Sequence, residues 1–323
     1  MANDRGQARM KHELPANLRP VFLRALSVVL GGKSIQVLTR AAALLAIACA
    51  LGVQAGNPPE KRSEERAVIS AAPQLQTATA HPMKYYISLP RNWSPDRKWP
   101  VLVAPSAHYG DKGRNLAVFA AERDARKANF IIVAPFVINA DRVVAMTEYR
   151  GAVADAINAA DAADGFRDET ARAKFDSEGI RAVLKDVQKL YHGEDKVYIT
   201  GFSSSTHIAY MFLFAHPELL KGVFINSGVY LGRGVDEEHI PLLNSPERAK
   251  IEIKYIIGEN DPGYEKCLEN WLEAKAKLLS YGHPASKIQM EVIKKGNPEN
   301  LSPGHNWFPT RILGFCSAVE LAP

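Results

Sequence analysis

The sequence predicts an α/β fold, with a mostly parallel central sheet flanked by helices on both faces. Two observations carry this. Short apolar runs alternate with helical patterns along most of the chain, as strands and their helical crossovers do. The middle runs are apolar almost throughout, as strands covered on both faces must be.

The expected strands are 83–90 (MKYYISLP), 100–105 (PVLVAP), 130–135 (FIIVAP), 196–200 (KVYIT), 222–228 (GVFINSG), 251–258 (IEIKYIIG) and 287–294 (KIQMEVIK). Helical patterns fall near 114–128, 176–191, 204–216, 262–281 and 308–319. Residues 137–172 break the alternation. They are rich in Ala, Asp and Arg and read as an insertion beside the mouth of the sheet. There is no internal repeat.

The chain has 323 residues. Its first 55 read as a leader. Arg40 precedes an apolar run, 41–53 (AAALLAIACALGV), and Val53 and Ala55 stand at the −3 and −1 positions of a cleavage site after Ala55. Thirteen apolar residues are too few for a comfortable membrane span. The sequence therefore predicts export to the periplasm or the exterior, after an unusually long basic segment. The alternative is an N-terminal helix that packs or anchors. Residues 56–75 are polar and Pro-containing and read as a linker, and 76–323 as one domain. That length buries a sizeable single core.

The formal charge of +5 belongs to the leader. Residues 1–55 hold seven Lys/Arg and two acids, which leaves 33 basic and 33 acidic residues in the rest. A neutral body gives no electrostatic reason to expect nucleic acid as a partner. The oligomeric state is not legible. Cys49 lies in the leader, and Cys267 and Cys316 match no metal spacing. These two would either pair in an oxidising compartment or remain buried thiols.

The chemistry concentrates at KVYITGFSSS (196–205). A strand runs into Gly201-Phe202-Ser203-Ser204-Ser205, and an amphipathic helical segment, THIAYMFLFAHPELL, follows at once. A serine at the apex of a strand–turn–helix needs small residues two before and two after it, because backbones crowd there. Gly201 and Ser205 meet that need for Ser203. The following helix supplies a positive dipole end and free N–H groups, so the Ser204 amide would be one donor to an oxyanion. The competing reading is a serine that merely caps a helix.

A nucleophilic serine needs a base, and the base needs an orienting acid. Asp261, in IIGENDPGY, follows a strand directly and is the candidate acid; Glu259 and Asp236 are alternatives. Five histidines follow Ser203. His207 and His216 belong to the next helix and suit packing; His239 and His283 read as surface loop residues. His305, in NLSPGHNWFP between the last strand and the last helix, is the candidate base, with Gly304 giving its loop backbone freedom. The second oxyanion donor is expected from the loop after 100–105, at the N–H of Ala107 or Ser106. His108, Tyr109 and Trp307 are candidates for the substrate mouth.

With these residues placed, the chain resembles the α/β-hydrolase superfamily. Its nearest likeness is to the secreted esterases that include polyhydroxybutyrate depolymerases and feruloyl or acetylxylan esterases. The likeness spans most of 80–315 and rests on KYYISLPRNWSPDRKWPVLVAPSA, NFIIVAP, FDSEGIRAVLKDVQKLY, KVYITGFSSS, AHPELLKGVFINSG, the IIGENDP turn and PGHNW. It implies a Ser203–His305–Asp261 triad that cleaves small-molecule or polymeric carboxylic esters without cofactor or metal. Two positions depart from the pattern. Pro105-Ser106 stands where His-Gly is common, and Ser205 replaces a glycine. The same triad would serve a peptidase or an acyltransferase. A catalytically silent secreted binding protein is the remaining alternative, favoured only by the altered oxyanion loop.

Overall fold

The computed structural model describes residues 73–105, 112–138, 169–229 and 245–321. All belong to one compact unit, Arg66–Pro323. Eight strands form one sheet: β1 (Gln74–Thr77), β2 (Lys84–Ser88), β3 (Val101–Val103), β4 (Ile131–Pro135), β5 (Val197–Phe202), β6 (Leu220–Asn226), β7 (Glu252–Gly258) and β8 (Ile288–Ile293). Their spatial order is β1-β2-β4-β3-β5-β6-β7-β8. β1, β2 and β4 are antiparallel neighbours, and every pairing from β4 across to β8 is parallel. Among the described residues, five α-helices accompany them: α1 (Lys112–Ala125), α2 (Glu169–Tyr191), α3 (Thr206–Ala215), α4 (Tyr264–Ser280) and α5 (Pro309–Leu321). This is the α/β-hydrolase arrangement, a mostly parallel sheet between two helical layers.

The alternation along each strand divides the core. Val101, Val103, Ile131, Val133, Val197 and Ile199 face a cluster that includes Val183 and Val187 of α2, Ile208 of α3 and Trp271 of α4. The residues between them, Leu102, Ile132 and Tyr198, face a second cluster with Leu116 and Phe119 of α1 and Ile312 and Leu313 of α5. Successive side chains of a strand point to opposite faces, so runs that are apolar throughout supply both cores at once.

The structure alters three sequence expectations and decides between the two readings of a fourth. The first is β1, which lies partly inside the expected linker. Its sequence, QLQT, is half exposed and paired on one side only, so it carries no apolar run. Second, α3 is buried on all sides rather than amphipathic: every residue from Thr206 to Ala215 is buried. Third, His283 is buried (4% exposed) rather than at the surface. Gly282, at φ +79°, turns the chain back after α4, and the His283 amide donates to the Leu278 carbonyl. Fourth, Cys267 and Cys316 are both free and buried, in clusters on opposite faces of the sheet, so they do not pair. Most of the expected insertion, 139–168, lies outside the described residues; α2 begins within the stretch, at Glu169.

Candidate active site

Ser203 and Asp261 follow the C-terminal ends of β5 and β7, where open α/β sheets place their ligand crevices, and His305 lies on the loop between β8 and α5. β5 ends at Phe202 in extended conformation (φ −128°, ψ 136°). Ser203 then sits at φ +51°, a region that non-glycine residues occupy at a cost of about 1–3 kcal/mol. A 3₁₀ turn, Ser203–Ser205, leads directly into α3.

This turn is fixed from within. A Cβ on Gly201 would stand 2.6 Å from both the Ser205 carbonyl oxygen and the Thr206 Cα, so only glycine fits. Ser205 does more than stay small. Its Oγ accepts from the Phe202 amide at 2.9 Å and donates to the Phe202 carbonyl at 3.0 Å, clasping the residue before Ser203. The Thr206 hydroxyl donates to the Ser203 carbonyl at 2.7 Å. Gly228, past β6, must also be glycine: a Cβ there would meet the Thr206 Oγ1 at 2.0 Å.

Asp261 lies in the turn after β7. Its amide donates to the Gly258 carbonyl at 3.1 Å, and its carbonyl accepts from the Tyr264 amide at 2.9 Å. The carboxylate is 1% exposed and both oxygens are engaged. Oδ1 accepts from the Gly263 amide at 2.8 Å, and Oδ2 meets His305 Nδ1 at 2.8 Å. The imidazole is 39% exposed. A buried carboxylate on Nδ1 keeps the proton there and leaves Nε2 as the acceptor. Glu259, the sequence alternative, points elsewhere and accepts from the Lys295 amide. Asp236 and His239 lie outside the described residues.

The His305 loop is docked by contacts from far along the chain. The Asn260 amide donates to the Pro303 carbonyl at 2.9 Å. A Cβ on Gly258 would lie 1.9 Å from that same carbonyl oxygen, so β7 and the loop touch backbone to backbone. Beneath the imidazole lies the Phe202 ring, with centroids 4.6 Å apart.

Ser203, Asp261 and His305 line one cavity of about 510 Å³. Ser204 and His207 join them from the start of α3, Ser227 to Val229 from the end of β6, and Pro262, Gly263 and Cys267 from the start of α4. The sequence assigned His207 to packing and left Cys267 as a paired or buried thiol, and it did not single out Ser227. His207 stands one helical turn past Ser203, and Ser227 follows a strand's C-terminal end, so both positions were marked by the fold rules. Cys267 carried no such mark; burial and the charge of Asp261 push its thiol up to about 11. Trp307 does not line the cavity. Its indole stacks on Phe202 (5.5 Å) and meets Phe119 edge-on (5.0 Å). Ser106, Ala107, His108 and Tyr109 lie outside the described residues. His216 caps α3, away from the cavity, with its Nε2 2.7 Å from the Ser177 hydroxyl.

A sheet of this order, with a serine on a strained turn after β5, a carboxylate in the turn after β7 and, paired with it, an imidazole on the loop after β8, defines an α/β-hydrolase. Residues 76–300 match the esterase family described as "Putative esterase". The chain belongs to that family and is a carboxylic ester hydrolase. The match ends before His305. No curated protein matches the sequence. Among solved structures, the chain is similar to a ferulic acid esterase, with 15% identity over 76% of this chain and 97% of that one, at a TM-score of 0.51. It is also similar to an S-formylglutathione hydrolase from Staphylococcus aureus, with 14% identity over 76% and 94%, at a TM-score of 0.50. A thermostable esterase shares 20% identity over 77% of this chain, at a TM-score of 0.45, and this chain spans 59% of its length. At these identities the likeness is one of fold.

Proposed function

We propose that this protein hydrolyses carboxylic esters through an acyl-enzyme intermediate, with Ser203 as nucleophile, His305 as general base and acid, and Asp261 as the group that orients the imidazole. The observation that carries the reading is the 2.8 Å contact from His305 Nδ1 to the buried Asp261 carboxylate, in the cavity that Ser203 lines. His305 Nε2 takes the Ser203 proton as Oγ attacks the ester carbonyl. The oxyanion forms at the head of α3, where the Ser204 amide and the helix dipole favour negative charge. The Ala107 amide is the proposed second donor. His305 then protonates the leaving alcohol, and water, activated by the same imidazole, releases the acid.

The substrate class is a small-molecule or polymeric carboxylic ester whose scissile bond reaches this cavity. Among the described residues no helix is long and apolar enough to cross a membrane. We further propose that the leader exports the chain and is removed after Ala55, so that N-terminal sequencing of the mature protein reads Gly56 first; an intact N-terminus would refute this.

The test of the catalytic reading is a fluorophosphonate probe on the whole chain and its Ser203→Ala variant. Wild type should gain one label at Ser203. The variant should gain none, and should lose at least about a thousandfold in ester turnover while keeping its fold. A labelled Ser203→Ala protein, or turnover within a few per cent of wild type, would place the nucleophile elsewhere.

A further inference from the structure

We propose that Asn226 is the positioning residue that fixes the height of His305 above Ser203. This rests on the assignment of those two residues as base and nucleophile.

Asn226 is the last residue of β6 and is fully buried (0% exposed). It stands in register with Phe202, the residue before the nucleophile, on the neighbouring parallel strand. A buried primary amide must place two donor hydrogens and an acceptor oxygen. All of them are spent on its own strand end and on the His305 loop. Nδ2 donates to the Asn306 carbonyl at 3.1 Å and to the Ser227 Oγ at 3.0 Å. Oδ1 accepts from the Phe308 amide at 3.1 Å.

The amide cannot serve in the flipped orientation, because Asn306 presents a carbonyl and Phe308 an N–H. One rigid planar group therefore grips the backbone immediately after His305 at two points. It does so from a strand whose other neighbour carries the Asp261 turn: Asn226 pairs in register with Ile256 of β7.

The consequence is geometric. Asp261 fixes which way the imidazole turns, through Nδ1. It does not by itself fix how far the loop stands from the Ser203 turn, since Pro303 and Asn306 flank the histidine on separate supports. Gly258 and Asn260 hold the Pro303 side, and Asn226 holds the Asn306 side. Only the second support is built on the strand next to the nucleophile's own. Releasing it lets the imidazole drift relative to Oγ while the contact with Asp261 survives.

Two substitutions in the whole protein test this. Asn226→Leu keeps the shape of the side chain and removes all three hydrogen bonds. Asn226→Asp keeps the acceptor for Phe308 and sets an oxygen against the Asn306 carbonyl. Both should lower kcat for a p-nitrophenyl ester about 10–100-fold with KM within about threefold, because a displacement near 1 Å costs rate rather than ground-state binding. Fluorophosphonate labelling of Ser203 should slow by a similar factor. Ser280→Ala, which loses only an exposed contact with the Lys277 carbonyl at the end of α4, should leave kcat within about threefold of wild type.

Folded Asn226 variants with wild-type kcat and labelling would overturn the inference. So would losses that appear in KM alone. If neither variant folds, hydrogen exchange on wild type decides: the Phe308 amide must be protected far beyond the exposed loop amides near His305, and fast exchange there would equally overturn the proposal. Failure of wild type to label at Ser203 would refute the catalytic reading instead.

Discussion

The two halves of the proposed active site are built on opposite principles. The Ser203 turn is held mainly by residues no more than a few places apart: Gly201 makes room for Ser205 and Thr206, Ser205 clasps Phe202, and Thr206 ties down the Ser203 carbonyl. The His305 loop is held by residues 43 to 82 positions away, through Asn260, Asp261 and Asn226. The first can reach its strained shape as soon as β5 and α3 form. The second exists only once β6 and β7 lie side by side. Local construction gives a preformed Ser203 turn. Remote construction makes the placement of His305 as accurate as the sheet beneath it.

The sharpest way to break this comparison is to remove charge from the remote half without moving it. Asp261→Asn preserves the size of the side chain and can still accept from the Gly263 amide. It would also present an amide to Nδ1 and favour the wrong imidazole tautomer. The expected loss in kcat is about 10⁴-fold with the fold intact. Steady-state kinetics beside a thermal melt would check it, and a loss under tenfold would mean that Asp261 is only a turn residue.

The contrast also explains what could be read in the sequence. Strands, helices and the nucleophile turn are signals of neighbouring residues: apolar runs, an apex serine, small residues on either side. They were legible for that reason. Asp261 and His305, which the structure brings within 2.8 Å of each other, stood out as candidates because each follows a strand pattern in the right order. What could not be read is whatever depends on packing across the sheet. Asn226 looks like any polar residue at a strand end until Asn306 and Phe308 are brought to it. Cys267 reaches the cavity only because α4 starts beside Asp261. β1 escaped notice because a short edge strand with one partner needs little apolar character. Burial of α3 on every side likewise follows from its place between the sheet and its neighbours, since ten residues without a charge do not say which of their faces is covered.

A smaller effect should come from separating the loop from β7 by bulk alone. In Gly258→Ala the new Cβ would lie 1.9 Å from the Pro303 oxygen and 2.4 Å from its carbonyl carbon. Both are backbone atoms, so the loop must shift. We expect kcat to fall about a hundredfold and stability by about 1–3 kcal/mol. The Ser203 turn, built locally, should keep its shape. A crystal structure of the variant should show the loop displaced and the turn superimposable. A turn that moved with the loop would show that the two halves are one unit.

The smallest effect concerns pH and sets the site apart from the rest of the core. Burial holds His283 below its ordinary value of 6.5, against weaker opposing contributions from a backbone hydrogen bond at Arg248 and the charge of Glu252. Lys287 and Arg248 nearby add to the lowering. Burial acts in the same direction on His81 and on His216. Each of these groups takes up its proton more readily in the unfolded chain. Their contribution to stability is therefore complete above about pH 6.5 and declines as pH falls below it, because the unfolded state then binds more protons than the folded one. None of the three touches the His305 loop or the Ser203 turn in any described contact. Denaturant unfolding between pH 7.5 and 5 should show a falling midpoint, and His283→Gln should flatten that slope by up to about one proton's worth. An unchanged slope would mean that His283 is already protonated in the fold, and that the charge of Glu252 and the backbone hydrogen bond at Arg248 outweigh burial.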